Sequence, residues 1–393
     1  MSLFGIRRTM LLLGLMLAAV LACAAVLLVA GSAPVDAANN KDFSGLVGIG
    51  GGRKIYMQCA GTGSPTVVLI AGKGNGARDG WNEALDPDDP VHQAPTDQVA
   101  LGEGDLKESE KAVFPSVAKF TRVCAYSRPG TGLDDPKTST PVHQPHTLDD
   151  DVADLHAVLG ASGESGPYVL VAHSYGGLIA RLYVGTYPKE VSGLVMEDTV
   201  NEFDLVTTTR EEFTNWDTLN STTDGKVEAV KLVDAMDKIS ATPPMPEMPA
   251  IVLSADKPWN PEAVAAQRKK FGPTPQFQDT LDAQEILARS LDAKWITNTN
   301  SGHNIEVYNP QLVTATIREV VDEVRGSSSA MASPSATASP TATSSPTATA
   351  SSTATALAST GGPPLDGPLP LVATLVLMCS GLAMLGLLRR KAS

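Results

Sequence analysis

Cysteine is scarce. Four occur in 393 residues, which excludes a small disulfide-stapled fold and leaves no cysteine cluster to hold zinc. Basic residues are also short, with 30 Lys and Arg against 43 Asp and Glu, a net charge of −13. A nucleic-acid binder needs a basic face to neutralise phosphates, so that class is excluded. Gly72-Lys73-Gly74-Asn75-Gly76 does not complete a G-x-G-x-x-G that opens a helix, so no nucleotide loop is indicated. Internal repeats are absent. The chain is nevertheless 42% hydrophobic, enough to build a packed core.

The apolar runs are concentrated at the two ends. Arg7 and Arg8 precede an uncharged stretch, Met10–Ala30, and small residues follow, with Val35-Asp36-Ala37 as a small-x-small site. Residues 1–37 therefore read as a cleaved export signal, with an uncleaved N-terminal anchor as the alternative. Near the other end, 326–356 is almost entirely Ser, Ala, Thr and Pro, a stalk with nothing to bury. Then come Leu357-Ala358-Ser359-Thr360-Gly361, a Gly/Pro-rich spacer, the apolar segment 369–388, and Arg389, Arg390 and Lys391. In that order, 357–393 resembles the LAxTG variant of the Gram-positive cell-wall sorting signal, seen in actinobacteria. The resemblance implies a sortase that cuts after Thr360 and a peptidoglycan precursor that receives it. Before processing, the apolar segment would sit in the membrane; an ordinary membrane anchor is the alternative. The expected location is extracellular, anchored to the wall or the membrane. Setting the signal and the tail after Thr360 aside leaves 25 basic and 41 acidic residues of the 30 and 43, a balance of −16.

The middle, 38–325, alternates strand-like apolar runs with helical patterns, as in a mostly parallel sheet covered on both faces. Leu46–Val47 and Lys54–Cys59 read as a hairpin around a glycine cluster. Strands are expected at Thr66–Ile70, Thr121–Tyr126, Tyr168–Ala172, Val191–Met196, Ala250–Leu253 and Lys294–Asn298. Helices are expected at Thr147–Leu159, Gly176–Thr186 and Pro310–Val324. Asp79–Lys111 reads as an insertion before a helix around Glu108–Phe120. Asn201–Met245, mostly helical and polar, falls where a lid would sit above the strand ends, giving a lid insertion at about 201–245.

One motif carries chemistry. In Tyr168-Val-Leu-Val-Ala172-His173-Ser174-Tyr175-Gly176-Gly177 a hydrophobic strand runs straight into a helix, with Ser174 in the turn. Such a turn strains the serine backbone and lifts its hydroxyl above the sheet, and it needs small residues two positions either side. A serine needs a base to act as a nucleophile. Of the six histidines, His303 in Asn300-Ser301-Gly302-His303-Asn304 follows a late strand. His143 and His146 read as solvated loop residues and His156 as a helix-face residue. Asp198 and Asp256 each follow a strand and are candidates for the acid.

With Pro65–Gly72, Tyr126-Ser127-Arg128-Pro129-Gly130-Thr131-Gly132 and Gly302-His303, these pieces resemble the α/β-hydrolase superfamily. The resemblance implies an α/β fold with a mostly parallel eight-stranded sheet, helices on both faces and a small helical lid. It implies the chain order Ser, acid, His, which only His303 satisfies. It places the acid after either strand; the common position after the later strand holds Pro258, which tips the balance toward Asp198. It implies an oxyanion hole from the backbone N–H of Lys73 and Tyr175, and no cofactor or metal. Ser127 departs from the Asp that many relatives carry there. The fold's usual strand order sets Cys59 and Cys124 on neighbouring strands, so a disulfide is expected, with two buried thiols as the alternative. The expected activity is that of a carboxylesterase-like serine hydrolase acting on a small-molecule ester or acyl substrate, through a Ser-His-Asp triad and an acyl-enzyme. Thioesters or amides are further substrates in that class. A catalytically silent surface binding module and a cofactor-free peroxidase-like member of the fold are the rivals.

Overall fold

The computed structural model describes residues 41–132 and 137–332. The export signal expected over 1–37, most of the stalk expected over 326–356 and the sorting signal expected over 357–393 lie outside the described residues. Among the described residues no helix is long and apolar enough to cross a membrane.

In chain order the strands are β1 (Phe43–Gly50), β2 (Arg53–Ala60), β3 (Val67–Ile70), β4 (Glu83–Leu85), β5 (Leu106–Glu108), β6 (Val123–Ser127), β7 (Tyr168–His173), β8 (Val191–Glu197), β9 (Ala250–Leu253) and β10 (Lys294–Ile296). Eight of them form one sheet in the spatial order β1-β2-β6-β3-β7-β8-β9-β10, while β4 and β5 pair with each other inside the insertion. β1, β2 and β6 are joined antiparallel, and β6 through β10 run parallel. The sheet is the α/β-hydrolase fold. The central strand β3 is apolar throughout, and β7 and β8 are so but for Ser192 and the polar residues at their C-terminal ends, because both faces are covered. Val68 and Ile70 of β3 face one core cluster, and Val67 and Leu69 face the other. The first cluster is closed by α2 (Leu148–Ser162), α3 (Gly176–Thr186) and α6 (Leu232–Ser240), the second by α1 (Val113–Val117) and α10 (Pro310–Ala332).

The expected strands and the three expected helices are all present, with ends shifted by a few residues. Thr147 caps α2 by accepting from the Asp150 backbone N–H, and Gly163 ends it in the left-handed conformation. The lid segment holds α4 (Asp204–Thr207), α5 (Arg210–Ser221) and α6. The helix expected around 108–120 is shorter. Residues 106–108 pair as β5, and only Val113–Val117 coil, because Leu-Lys-Glu-Ser-Glu-Lys offers no apolar stripe to bury. Two helices between β9 and β10, α7 (Pro261–Phe271) and α8 (Phe277–Ser290), were not expected. The closing helix α10 runs past residue 325, so the start of the expected stalk is helical.

The antiparallel register of β2 on β6 sets Cys59 directly opposite Cys124. Their Cα atoms lie 4.1 Å apart and their sulfurs are joined in a disulfide.

Candidate active site

Ser174 sits where β7 hands over to α3, with φ at +52°. A non-glycine residue there costs roughly 1–3 kcal/mol and persists only when its neighbours hold it. Its N–H donates to the Glu197 carbonyl at 3.2 Å, and its own carbonyl accepts from Gly177 and Val200 at 2.9 and 3.0 Å. Two positions on, a methyl group at Gly176 would stand 2.4 Å from the Ile70 carbonyl oxygen, so only glycine lets the helix approach the sheet. The hydroxyl of Ser174 makes no hydrogen bond to any described residue.

Glu197 and Val200, which grip the serine backbone, flank Asp198. Asp198 is 6% exposed. Its Oδ1 accepts from the Ala255 N–H and from Gln284 Nε2, both at 3.0 Å. Its Oδ2 faces His303 Nδ1 at 2.6 Å. Burial works to raise the Asp198 pKa, but the hydrogen bond and charge of His303, then the Ala255 and Gln284 donors, override it and hold it below the usual value. For His303 burial works to lower the pKa; the Asp198 hydrogen bond and charge, with Asp97 and Glu306 behind them, leave it raised. Asp198 fixes Nδ1, so Nε2 is the ring nitrogen left to exchange a proton. Asp256, the other candidate acid, is not this partner. Its two oxygens accept the backbone N–H groups of Asn300 and Ser301 at 2.9 and 2.8 Å, and it shapes the loop that carries His303.

Lys73 and Tyr175 lie at the ends of β3 and β7, and their backbone N–H groups donate to no described residue. The Tyr175 phenol donates to Asp151 at 2.7 Å. Asp151 in turn meets His146 Nδ1 at 3.0 Å, so His146 belongs to this network rather than to a solvated loop. Arg128 lies beneath the Lys73 loop, fully buried. It donates to the Ala71 and Gly72 carbonyls at 2.9 and 2.7 Å and to both oxygens of Glu228 at 2.6 and 3.1 Å. Glu228, from the lid segment, also accepts the Gly74 N–H at 2.6 Å. Burial lowers the Lys73 pKa to about 8, against the raising charge of Glu228.

A second buried set lies behind the first. His173 Nε2 is 2.9 Å from the His303 carbonyl, and its Nδ1 is 3.8 Å from Glu306 Oε1. Burial lowers the His173 pKa, so it is neutral at neutral pH and donates from Nε2. Burial, then the charge of Glu306, pushes Glu197 well above the carboxylate range. Among the described residues, three potential metal ligands converge only at Cys59, Cys124 and Glu164, and the two sulfurs there are already bonded to each other.

Glu197, Glu228, Glu306, Gln284 and Asp97 escape a reading of the sequence. Glu228 is the one partial exception, as a lone charge inside Val227-Glu228-Ala229-Val230.

A serine at positive φ on a strand-to-helix turn, and a histidine–carboxylate pair on the loops after later strands of a mostly parallel eight-stranded sheet, are the arrangement of an α/β-hydrolase fold. The sequence pattern of the family described as alpha/beta hydrolase fold matches residues 101–303, just over half of the chain, and the protein belongs to that family. The chain is similar to the uncharacterized protein YqjL of Bacillus subtilis (strain 168), with 26% identity over 221 residues, 56% of this chain and 80% of that protein. Among solved structures it is similar to a thermophilic esterase from Thermogutta terrifontis, at 15% identity and a TM-score of 0.46, covering 72% of this chain and 99% of that one. It is also similar to the serine hydrolase CCSP0084 from Cycloclasticus zankles, at 14% identity and a TM-score of 0.44, covering 72% and 98%.

Proposed function

We propose that the protein is an exported serine hydrolase, held at the cell surface, that cleaves ester bonds of the carboxylesterase type. The observation that carries the chemistry is the His303–Asp198 pair at 2.6 Å, tied through Glu197 and Val200 to a serine at positive φ. Ser174 Oγ attacks the carbonyl carbon and its proton passes to His303 Nε2. The bond to the leaving alcohol breaks and the alcohol takes that proton. Water then attacks the acyl-enzyme, returns a proton through His303, and releases the acid and free Ser174. The Lys73 and Tyr175 N–H groups receive the developing oxyanion, at roughly 3–4 kcal/mol for each donor. Surface placement rests on the sequence pattern at 1–37 and 326–393, with sortase and a peptidoglycan precursor as the partners that pattern implies.

One experiment addresses both parts. Intact cells are treated with a membrane-impermeant fluorophosphonate probe, beside cells carrying Ser174→Ala. Labelling of the wild type in the wall fraction, absent from Ser174→Ala, is the expected result. Labelling seen only after lysis removes the surface placement and keeps the hydrolase. No labelling of a folded wild type removes the hydrolase and favours a binding module.

A further inference from the structure

The loop that carries His303 runs from β10 to the short helix α9 (Ile305–Tyr308) with no regular structure of its own, and carboxylates from two other segments hold its backbone donors. Asp256 takes the Asn300 and Ser301 N–H groups. The His303 N–H goes to Asp97 Oδ2 at 2.9 Å. Asp97 belongs to the insertion between β4 and β5 and is 1% exposed. Its Oδ1 accepts from the Tyr308 hydroxyl at 3.0 Å and from the Val99 and Ala100 N–H groups at 3.1 and 3.4 Å. Its own N–H donates to the Pro258 carbonyl at 2.8 Å. The approach is close: a methyl group at Gly302 would stand 2.1 Å from the Asp97 carboxyl carbon, so the loop can reach Asp97 only with glycine before the histidine. With His173 on its carbonyl, the His303 residue is held at both backbone polar groups by side chains from other segments.

We propose that Asp97 is a positioning residue for His303, fixing its backbone so that Nδ1 stays on Asp198 and Nε2 faces the serine. The proposal rests on the serine-hydrolase reading for its kinetic part alone. The carboxylate has no ion-pair partner among the described residues, and its donors are neutral groups. Its charge therefore acts on the ring that becomes cationic when Ser174 gives up its proton. The other groups around the ring are Asp198, Glu306 and the neutral His173, with Glu197 behind them. On the far side of Asp97 lie the Tyr308 hydroxyl and the Lys257 ammonium, which is committed to the Val91 and His92 carbonyls.

The test uses the full chain with Asp97→Asn and, as a second variant with a shorter side chain, Asp97→Ser. With p-nitrophenyl acetate, kcat is expected to fall by about 10²-fold, the cost of a misplaced catalytic group, while KM stays near the wild-type value. The acid limb of kcat/KM is expected to move to lower pH, because removing a negative neighbour makes the imidazolium easier to deprotonate. Tyr308→Phe removes another donor from the same carboxylate and keeps the charge, so its limb stays in place. An NMR titration of the His303 ring reads the same shift without any substrate, so it decides the proposal even if the protein hydrolyses no ester. A His303 titration unmoved in both Asp97 variants, or lost stability with an unmoved limb, overturns the proposal and leaves Asp97 a structural pin.

Discussion

Two aspartates stand at comparable strand ends, and their surroundings give them different work. Asp198 is buried on the histidine ring, while Asp256 holds loop N–H groups at the surface. Replacing Asp198 by Asn is expected to lower kcat by ~10³–10⁴, since the imidazole loses the partner that sets its tautomer. It also removes the chief influence that raises the His303 pKa. The His303 pKa, held above its ordinary value in the wild type, then falls, and the acid limb of kcat/KM is expected to move to lower pH with it. Asp256→Asn is expected to change kcat by less than about tenfold, since it only loosens a loop; pH-rate profiles of both variants decide this, and a larger loss at Asp256 reverses the assignment. Ser174, His303 and the choice between two acids were legible because chain order and strand ends are local features. Asp97 was not, because it meets His303 across 206 positions of sequence and a lone acid in an irregular loop has no period to betray it. Glu197 was hidden for a related reason, since an acid at the end of an apolar strand reads as the start of a loop. Its pKa is raised by burial first, so the folded protein keeps a proton that the unfolded chain releases near 4.5. The folded state binds the extra proton, so stability falls as pH rises from about 4.5 toward the folded value. Glu197→Gln lacks this dependence, and its Tm relative to wild type is expected to rise between pH 5 and pH 8. A variant-minus-wild-type Tm that stays constant or falls over that range counts against a protonated Glu197.

At the scale of elements, the lid segment is stitched to the loop that carries Lys73. Glu228 reaches from the stretch between α5 and α6 to Arg128 and the Gly74 N–H, and the Glu228 N–H donates to the Gly130 carbonyl at 3.1 Å. Both partners of the ion pair are fully buried. Removing one partner strands a charge in the interior, so Glu228→Ala is expected to cost about 3–5 kcal/mol. Urea unfolding measures it, and a cost under about 1 kcal/mol, typical of an exposed pair, would show that water reaches Arg128. Activity falls with it, because Arg128 also carries the Ala71 and Gly72 carbonyls. The strands were legible as apolar runs bounded by turns, since both faces of a parallel sheet are buried. Helices α7 and α8 were not, because α7 buries no residue and the face that α8 buries, Thr280, Ala283, Gln284, Leu287 and Ala288, is made mostly of small or polar residues. Their capping signals, Asn260 with Pro261 and the Asp279 carboxylate that accepts the Gln276 N–H, were the local features that could have marked them.

Over the described residues, the disulfide, Lys41 and Arg325 lie toward the starts of β3 and β6. Cys59 and Cys124 are 65 positions apart, and closing a loop of that length contributes about 4 kcal/mol in the chain-entropy account. Cys59→Ala with Cys124→Ala is expected to lower the urea midpoint of the oxidised protein to that of the wild type in reductant, and equal midpoints for oxidised and reduced wild type would remove the bond's role. Near that bond, Arg122 donates to the Lys41 and Gly61 carbonyls at 3.3 and 3.2 Å. Arg325, late in α10, donates to the Ser64 and Phe120 carbonyls at 2.8 and 3.1 Å, just ahead of β3 and β6. Ser174, Asp198, Lys73 and His303 follow the far ends of the strands. Helix α10 starts beside them at Pro310 and runs 23 residues, which carries the chain roughly 35 Å back across the sheet. The described chain therefore ends, at Ala332, on the opposite side of the sheet from the turn of Ser174 and the loop of His303.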